Sequence, residues 1–459
     1  MEKLSNGQII DLALSMGFDK CEVYKVESEN LNISVCHQNL ELLNRENETG
    51  VAVRFWKGSR VGFGFKDNVF KDSIIKMIRD VSDIISRLPE EKNIEPAPGL
   101  KSLDVYKKGT KENPFFDHEI KSCSMDAKIK KVMAVEKAAF DFSDMIKVSR
   151  VSSYEEKITR HAINNSNGLD VEYATTKWRG MYIVIGGKGE NRQMKTSEVG
   201  GIFFDDFDPV SLGQEAARKV IISAGGEGLK SEEMTVLIHS RAANQIFSRL
   251  SNGFIGDLVD RNMSVFKDKL GEKIAPEFLN IVDDPLMPGG YQSTPYDDEG
   301  IATRKVTVVR NGVLKSYLYS LQSAEKNGTM PTGSSRRAHY GSLPMASLSN
   351  LYVENGSADP KDMISSIKYG FYLYNPLDVR GINLVSGDFS INGDGVLIEN
   401  GRITRPISTI TIGSNVFDFL SNIECIGNDL AFEPIHPFFG GGNVGSPTIL
   451  VKNLVAGSI

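Results

Sequence analysis

The chain has 459 residues, of which 40% are hydrophobic and 24% are charged, and its 59 acidic side chains slightly outnumber its 53 basic ones. This is the composition of an ordinary globular protein with two or three domains, and it excludes the basic surface that nucleic-acid binding requires. No apolar run approaches the roughly 20 residues that span a membrane, and the N-terminus lacks the apolar core of a signal peptide. We therefore expect a soluble, cytoplasmic protein that binds neither nucleic acid nor membrane.

The first segment, residues 1–90, predicts an α/β domain with antiparallel hairpins. Apolar residues recur at helical spacing over 6–16 and again over 72–88. Four segments between these two helices alternate apolar and polar residues: 21–25, 31–35, 51–55 and 61–65. Lys57-Gly58 supplies a turn between the last two of these strands, which predicts a hairpin.

The second segment begins with residues 91–116, which are rich in Pro, Gly, Lys and Glu and predict a linker. A central domain is expected over 117–228, as helices joined to a meander of strands. Its predicted elements are a helix at 125–142, strands at 145–155, 157–164 and 169–188, and a helix at 209–223. The sequence Asn165-Ser166-Asn167-Gly168 is typical of the turn between two hairpin strands.

The third segment, 229–459, predicts a large β-rich C-terminal domain. It opens with a strand at 235–238 and a helix at 240–250, and later helix patterns occur only at 360–369 and 415–422. The rest consists of short strand patterns and glycine turns. Because helices and strands do not alternate regularly along the chain, the predicted fold class is α+β.

A zinc hydrolase needs ligands that converge on the metal and a base that activates water. A helix with two histidines one turn apart and a neighbouring glutamate supplies most of this set. The chain has six histidines: His37, His118, His161, His239, His339 and His436. No two of them lie within six residues of each other, which excludes a helical histidine pair.

Other candidate ligands are isolated. His118-Glu119 is followed by Cys123, but this polar stretch precedes the central helix, and two ligands on a loop make no closed site. His239 follows a predicted strand and is expected to cap the next helix. The four cysteines show no CxxC pair, which predicts reduced thiols rather than a zinc knuckle. Neither a GxSxG nucleophile elbow nor a P-loop occurs.

The acidic run Asp297-Asp298-Glu299 has two interpretations. With Asp388 or Asp429 it would form an oxygen-rich calcium or magnesium site, or an acid–base pair. Alternatively, because Gly300 follows the run, it is ordinary turn chemistry. The large sequence separation between these carboxylates leaves both interpretations open.

Several short motifs follow one another in the last third of the chain. They are Asp297 to Gly300, Asn311 to Leu314, Tyr317-Leu318 with Ala324, Gly387 to Ser390, Ile398 to Gly401 with Pro406, and Gly427 to Leu430. Their order and spacing resemble the C-terminal domain of the TldD/PmbA family, whose TldD members are zinc metallopeptidases. The hairpin from Gly50 to Phe65 resembles the family's opening domain, and the resemblance is weakest over 89–230.

One departure from the family pattern indicates the branch. TldD-type peptidases carry a His-Glu-x-x-x-His motif on the helix that follows the strand matching 235–238. The matching positions here are about Ser248, Arg249 and Gly253. No histidine or glutamate lies between His239 and Glu272, so these positions are degenerate and the chain is expected to have no catalytic residues and no zinc of its own.

The C-terminal cysteine ligand of the peptidases is also missing. Ile426 occupies the matching position, and the adjacent Cys425 is expected to be a buried thiol. The Gly427-Asn428-Asp429 ending resembles the PmbA branch, which is also called TldE. An older family label, modulator of DNA gyrase, receives no support as DNA binding from the acidic charge.

The resemblance implies a PmbA/TldE-type subunit of a zinc metallopeptidase that acts on unfolded or extended peptides. Zinc would lie in a TldD-like partner, and a second copy of the chain is the other possible dimer partner. The C-terminal domain would take a peptide as an added strand. The expected groove or interface residues are Asp297, Asp298, Glu299, Gly300, Gly387, Asp388 and Phe389.

Two alternatives remain at this point. The first is a stand-alone hydrolase that uses a carboxylate-based metal site. The second is a non-enzymatic homodimer that binds peptides or has a regulatory role.

Overall fold

The computed structural model describes residues 2–90, 95–99, 113–188, 191–434 and 442–458. The helices are Asn6–Ser15 (α1), Lys71–Ile85 (α2), Met125–Phe142 (α3), Pro209–Ser223 (α4), Ser240–Ser251 (α5), Gly256–Asp260 (α6), Leu321–Lys326 (α7), Pro360–Ser366 (α8) and Val416–Ser421 (α9). Short 3₁₀ turns occupy Phe204–Asp206 and Asn252–Phe254. Most of the predicted linker, 91–94 and 100–112, lies outside the described residues.

Long antiparallel strands form the first sheet. They are Lys20–Cys36 (β1), Asn39–Lys57 (β2), Arg60–Lys66 (β3), Ile146–Asn165 (β4), Asp170–Lys188 (β5) and Asn191–Gly201 (β6). Their order in the described residues is β3-β2-β1-β4-β5-β6. The central pairing joins β1 to β4, from Glu22 opposite Asn165 to Val35 opposite Ser152. Strands from 1–90 and from 117–228 therefore share one sheet.

Helices cover one face of this sheet in two groups. Ile9 and Ile74 of α1 and α2 pack with Val53 of β2, and α3 and α4 pack on the other strands in a separate core around Tyr154. The local sequence fixes the ends of these helices. Ser5 and the side chain of Gln8 form a capping box at α1, and Gly17, with φ of +91°, follows its C-terminus.

The C-terminal domain contains the remaining strands. They are Glu232–Ile238 (β7), Ile281–Asp283 (β8), Val306–Arg310 (β9), Val313–Leu314 (β10), Ser335–Arg336 (β11), Met345–Ala346 (β12), Asn350–Val353 (β13), Tyr369–Asp378 (β14), Asp388–Glu399 (β15), Arg402–Asn415 (β16), Ile423–Ile426 (β17), Ala431–Pro434 (β18), Asn443–Ser446 (β19) and Ile449–Ser458 (β20). One sheet has the order β10-β9-β8-β13-β19-β18, and β11 pairs with β12.

The other large sheet of this domain closes on itself. Its order is β16-β15-β14-β7-β20-β17, and β16 also pairs with β20. The strands β16, β15, β14, β7 and β20 therefore form a ring, whose interior contains Val236, Phe371 and Ile412 of one large hydrophobic core. Helix α5 leaves the ring directly after β7, so the ring fixes where the helix begins.

The predicted α+β class is confirmed, as are the helices near 6–16, 72–88, 125–142, 209–223 and 240–250. Some details were wrong. The predicted strands 145–155 and 157–164 are the single strand β4, and the segments 21–25 and 31–35 both belong to β1. Strand β6 and helix α7 were missed, and α8 ends before residue 369, where β14 begins. None of the described helices is both long and apolar enough to cross a bilayer.

Candidate functional site

The acidic run forms a tight, buried turn. Asp297 Oδ1 accepts hydrogen bonds from the backbone N–H groups of Glu299 and Ile301, both at 2.9 Å, and its Oδ2 accepts one from Ser335 at 3.1 Å. Gly300 has φ of +80°, a conformation that glycine adopts without strain. Burial, and next the nearby Glu299, raise the pKa of Asp297. The turn-chemistry interpretation of this sequence is therefore confirmed.

Glu299 connects this turn to the first sheet. Its Oε1 lies 2.9 Å from Nη1 of Arg54 on β2, and the same guanidinium forms a fork to Glu22 on β1 at 2.8 and 2.9 Å. All three side chains are buried. Arg337 lies on the other side of Glu22, with Nη2 3.4 Å from Oε1. Two carboxylates and two guanidinium groups thus neutralise one another between the sheet and the C-terminal domain.

Asp298 contacts an aromatic layer on the same face of the sheet. The Tyr24 hydroxyl donates to Asp298 Oδ1 at 3.3 Å and lies 3.4 Å from Nδ1 of His161. The His161 ring stacks on Tyr173 with centroids 4.6 Å apart. Burial, as the main cause, lowers the pKa of His161 to about 4, and burial also raises the pKa of Tyr24. His161 is therefore neutral at neutral pH.

A cavity of about 220 Å³ lies on this sheet face. Asn30, Lys157 and Lys177 of β1, β4 and β5 line it together with Tyr291 of the C-terminal domain. The Lys177 amine donates to the side-chain carbonyl of Gln292 and lies 5.5 Å from the centroid of the Tyr291 ring. Burial, then the positive charges of Arg336 and Lys157, lower the pKa of Lys177 to about 7, against an opposing effect of Asp298.

The positions that match the zinc motif lie at the C-terminal end of α5. Ser248 is buried, and Arg249 is exposed and donates from Nε to the carbonyl of Ile382 at 3.1 Å. A Cβ atom built on Gly253 would lie only 2.6 Å from Cδ2 of the fully buried Phe266. These three residues do not fit the ligand set of zinc. Ser248 offers a hydroxyl, the Arg249 guanidinium is bonded to Ile382, and Gly253 has no room for a side chain.

The segment Gly387 to Phe389 lies next to Val265 and Asn415. Gly387 has φ of +83°, and a Cβ atom on it would lie 3.6 Å from Cγ1 of Val265, the neighbour of Phe266. Phe389 is buried and stacks on Phe419 at 4.4 Å, whereas Asp388 is exposed. The predicted groove residues therefore form two groups with different neighbours: 297–300 against the first sheet, and 387–389 against Val265, Asn415 and Phe419.

The carboxylate metal site is not formed. Asp388 accepts from Ser386 Oγ at 2.6 Å, and Asp429 accepts from the N–H and hydroxyl of Thr448, both at 2.8 Å. In the part of the chain that the structure describes, no group of three or more His, Cys, Asp and Glu side chains is placed to hold a metal ion. Asp297 and Asp388 bond within their own turns, whereas Asp298, Glu299 and Asp429 bond to residues distant in sequence.

The remaining sequence candidates have local roles. His239 caps α5 as predicted, with Nδ1 accepting from the N–H of Arg241 at 3.3 Å. His118 is exposed, and its ring lies against Phe116. Cys425 is only half-buried on β17, so the prediction of a buried thiol was wrong in degree, although burial still raises the pKa of the thiol.

Sequence reasoning missed the groups that the first sheet contributes. Arg54, Tyr24, His161 and Lys177 come from four different strands, and Arg336 comes from the C-terminal domain. Alternation along each strand indicates which residues share a face, but pairings between strands more than a hundred residues apart leave no signal in a single sequence. No motif therefore marked these residues.

Comparison with known proteins agrees with this architecture. Three family models match in succession: PmbA/TldA metallopeptidase domain 1 over 21–85, the central domain over 119–224 and the C-terminal domain over 231–458. The chain belongs to the PmbA/TldD family. Each of the three segments inferred from the sequence contains one of these matches.

The relatives of this PmbA/TldD chain extend over nearly its whole length. It is 25% identical to a metalloprotease TldD homolog of Buchnera aphidicola, covering 90% of this chain and 87% of the relative. It is 23% identical to metalloprotease PmbA of Escherichia coli O157:H7, covering 90% and 88%. The fold matches the crystal structure of TldE from Thermococcus kodakarensis with a TM-score of 0.86 at 21% identity, covering 98% and 99%. These names relate the chain to metallopeptidases at the level of the family.

Proposed function

We propose that this chain is the PmbA/TldE-type subunit of a TldD/TldE-like metallopeptidase that acts on unfolded or extended peptides, and that it holds no zinc itself. The observation that carries the proposal is the end of α5. Residues 240–271 contain no His, Glu or Cys, and Phe266 fills the space beside Gly253. Zinc, when bound in a TldD-like partner, would polarise the peptide carbonyl and activate water there.

The residues of this chain would then act by binding and orienting the peptide. The cavity on the first sheet supports this role, because Asn30 and Asn32 place side-chain amides along it that can pair with peptide main chain. The Glu22, Arg54 and Glu299 cluster holds the C-terminal domain against the same sheet face, which keeps the walls of the cavity at a fixed separation.

An unpaired strand edge supports association with a TldD-like subunit. The outer side of β2 pairs with β3 only over Val51–Lys57, and within the described residues no strand pairs with that side of Asn39–Gly50. Leu40, Leu42 and Leu43 are all exposed on this stretch. A long edge with exposed leucines is a surface that pairs readily with another chain.

The test mixes the purified chain with a TldD-like metallopeptidase and measures cleavage of an unfolded peptide. We expect the partner to cleave faster in the mixture, and metal analysis of this chain alone to find no stoichiometric zinc. Equal cleavage with and without the chain would refute the subunit role, and bound stoichiometric zinc would refute the zinc-free assignment. Stable peptide binding without any effect on the partner would instead favour the peptide-binding homodimer.

A pair of variants tests the edge. Leu42→Lys introduces a charge on the free side of β2 and should weaken association with the partner, while Leu270→Lys changes an exposed leucine outside this strand and should not. Size-exclusion chromatography of each mixture reports the association. The same loss in both variants would argue against the β2 edge as the contact.

A further inference from the structure

We propose that Lys177 and Lys157 form a carboxylate-binding site in the cavity on the first sheet, with Arg336 adding positive charge near Lys177, and that its ligand is a carboxylate of an extended peptide. The proposal rests on the peptide-binding role put forward above and adds to it the chemical group by which the peptide is anchored. The carboxylate has two possible sources, the C-terminus of the peptide or an acidic side chain, and the experiment below separates them.

Two lysines lie side by side on neighbouring strands of the first sheet. In the register of β4 with β5, Lys157 stands directly opposite Lys177, and both side chains line the cavity. Directly opposed residues of antiparallel strands have Cβ atoms about 5 Å apart, and like charges at this distance repel each other. Lys157 is exposed to solvent, which weakens this repulsion, and Lys177 is half-buried; a bound anion would reduce the repulsion further.

Neither lysine has an acidic partner among the described residues. None of the ion pairs in this part of the chain includes either amine, and the bonded partner of Lys177 is the uncharged Gln292. The nearby acids are engaged elsewhere. Glu155 lies 3.8 Å from Arg179, and Glu46 accepts from Asn44 at 2.6 Å. Glu156, the third acid of the lining, pairs with Lys128, so the acids of the cavity are bonded to other groups and leave the two amines without a carboxylate partner.

Arg336 adds a third positive charge with spare hydrogen-bonding capacity. Its Nη1 donates to the carbonyl of Ser335 at 2.9 Å, whereas its Nη2 is buried and has no hydrogen-bond partner. Buried donors are nearly always paired, so this unpaired guanidinium nitrogen, in a residue whose charge acts on Lys177, indicates a missing acceptor. A carboxylate supplies two acceptor oxygens and forms short, strong bonds with such cations.

The electrostatics of the cavity agree with this assignment. The charged and titratable groups that act on Lys177 are Lys157 and His161 of β4, Arg336 of β11, and Asp298 of the acidic turn. Burial is the main cause that lowers the pKa of the Lys177 amine to about 7, and the positive charges of Arg336 and Lys157 lower it further. The negative charge of Asp298 acts in the opposite direction. A bound anion would add a second opposing charge and raise that pKa.

The experiment uses the full chain and three versions of one unfolded peptide. The first has a free C-terminal carboxylate, the second is the C-terminal amide, and the third is the amide with glutamate as its last residue. Fluorescence anisotropy gives the affinity of each. We expect the amide to bind about tenfold more weakly than the free acid, because charge-assisted hydrogen bonds are lost. If the glutamate version regains the affinity, an acidic side chain also serves as the source.

Variants locate the effect. Lys177→Gln should reduce the affinity for the free acid to that for the amide, Lys177→Arg should preserve part of the difference, and Lys57→Gln, on an exposed lysine outside the cavity, should change nothing. Equal binding of acid and amide, or an unchanged difference in Lys177→Gln, would overturn the site while leaving the peptide-binding function intact.

Acetate alone provides a test that does not need peptide. Lysines labelled by reductive ¹³C-methylation give separate NMR signals, and the Lys177 signal, assigned with Lys177→Gln, should titrate near pH 7. Added acetate should move that midpoint to higher pH. If no peptide binds but acetate shifts Lys177, the proposed function fails and the carboxylate site stands. If acetate leaves the midpoint unchanged, the site is refuted.

Discussion

Arg54 and Glu299 form a buried ion pair that joins two parts of the molecule 245 residues apart in sequence. Nη1 of Arg54 lies 2.9 Å from Oε1 of Glu299, and the other side of the guanidinium holds Glu22. Glu299 also accepts from the N–H of Leu321 at 2.9 Å, so its carboxylate is satisfied from both sides. The first sheet and the C-terminal domain are therefore connected through charges that no solvent screens.

The first prediction concerns removal of this cation. Arg54→Met retains an unbranched side chain but leaves the carboxylates of Glu22 and Glu299 buried without it. Because an uncompensated buried charge is costly, we expect the free energy of unfolding to fall by about 3–5 kcal/mol. Urea denaturation followed by circular dichroism measures the change.

The control for that variant is an exposed pair. Lys269 and Glu272 lie 2.8 Å apart on the surface, and Lys269→Met should cost less than about 1 kcal/mol because water screens such pairs. A loss in Arg54→Met no larger than in this control would show that the buried cluster does not hold the two parts together.

The second prediction concerns Gly300. This residue combines φ of +80° with a Cβ position only 2.5 Å from Cδ2 of the buried Leu169. Gly300→Ala should therefore lower the free energy of unfolding by about 1–3 kcal/mol. Gly7 in α1 has nothing within 4 Å of its Cβ position, so Gly7→Ala should stabilise the chain by about 0.5–1 kcal/mol. Thermal unfolding of both variants should show shifts of opposite sign.

The sequence predicted what local chemistry determines. Helices with clear periodicity and capping residues, such as α1 and α4, form where the pattern placed them. The Asp297 to Gly300 turn also follows from short-range rules, because its carboxylate bonds to N–H groups two and four residues onward. The length of β4 was missed because residues 155–157 carry charges on both faces, of which Glu156 is buried against Lys128.

The site itself was not predictable from one sequence. The predicted turn at 165–168 already implies the hairpin in which Lys157 stands opposite Lys177, but nothing in the sequence indicates that Arg336 and Tyr291 reach Lys177 from the C-terminal domain. The sequence shows that Ser248, Arg249 and Gly253 are not zinc-ligand residue types, and the structure adds that a side chain at Gly253 would meet Phe266.

The third prediction is a pH dependence of stability from His161. Its pKa is about 4 in the folded chain, below the ordinary value of 6.5 because of burial. Between these two values the unfolded chain binds more protons, so the free energy of unfolding should rise with pH across this window, by about 2–3 kcal/mol. The contribution is fully present above pH 6.5 and is lost as the pH falls to about 4.

His161→Phe isolates this effect from the titration of acidic groups. The variant retains a ring to stack on Tyr173 but cannot bind a proton. Denaturation at several pH values should show that the wild-type chain loses more stability than His161→Phe between pH 6.5 and pH 4. Parallel curves for the two proteins would mean that His161 does not titrate differently on folding.

The fourth prediction tests whether the 3₁₀ turn that follows α5 has room for a side chain at Gly253. A Cβ atom there would lie 2.6 Å from Phe266, so Gly253→Ala should cost about 1–3 kcal/mol of unfolding free energy. In a Phe266→Leu background the smaller side chain leaves room, and the same substitution should cost clearly less. Gly413→Ala, whose Cβ position has open space, serves as the matched control.

A double-mutant cycle decides the matter, because it separates the contact between positions 253 and 266 from the separate cost of truncating Phe266. If the losses of unfolding free energy in Gly253→Ala and Phe266→Leu simply add in the double variant, the Phe266 ring does not restrict position 253. Steric exclusion would then not explain why no larger side chain stands there. A coupling of about 1 kcal/mol or more would mean that a histidine at 253 cannot be introduced alone: the aromatic core beside α5, with Phe254 stacked on Phe266 at 4.6 Å, would have to change with it. The poor fit of this region to zinc would then come from the packing as well as from the residue types.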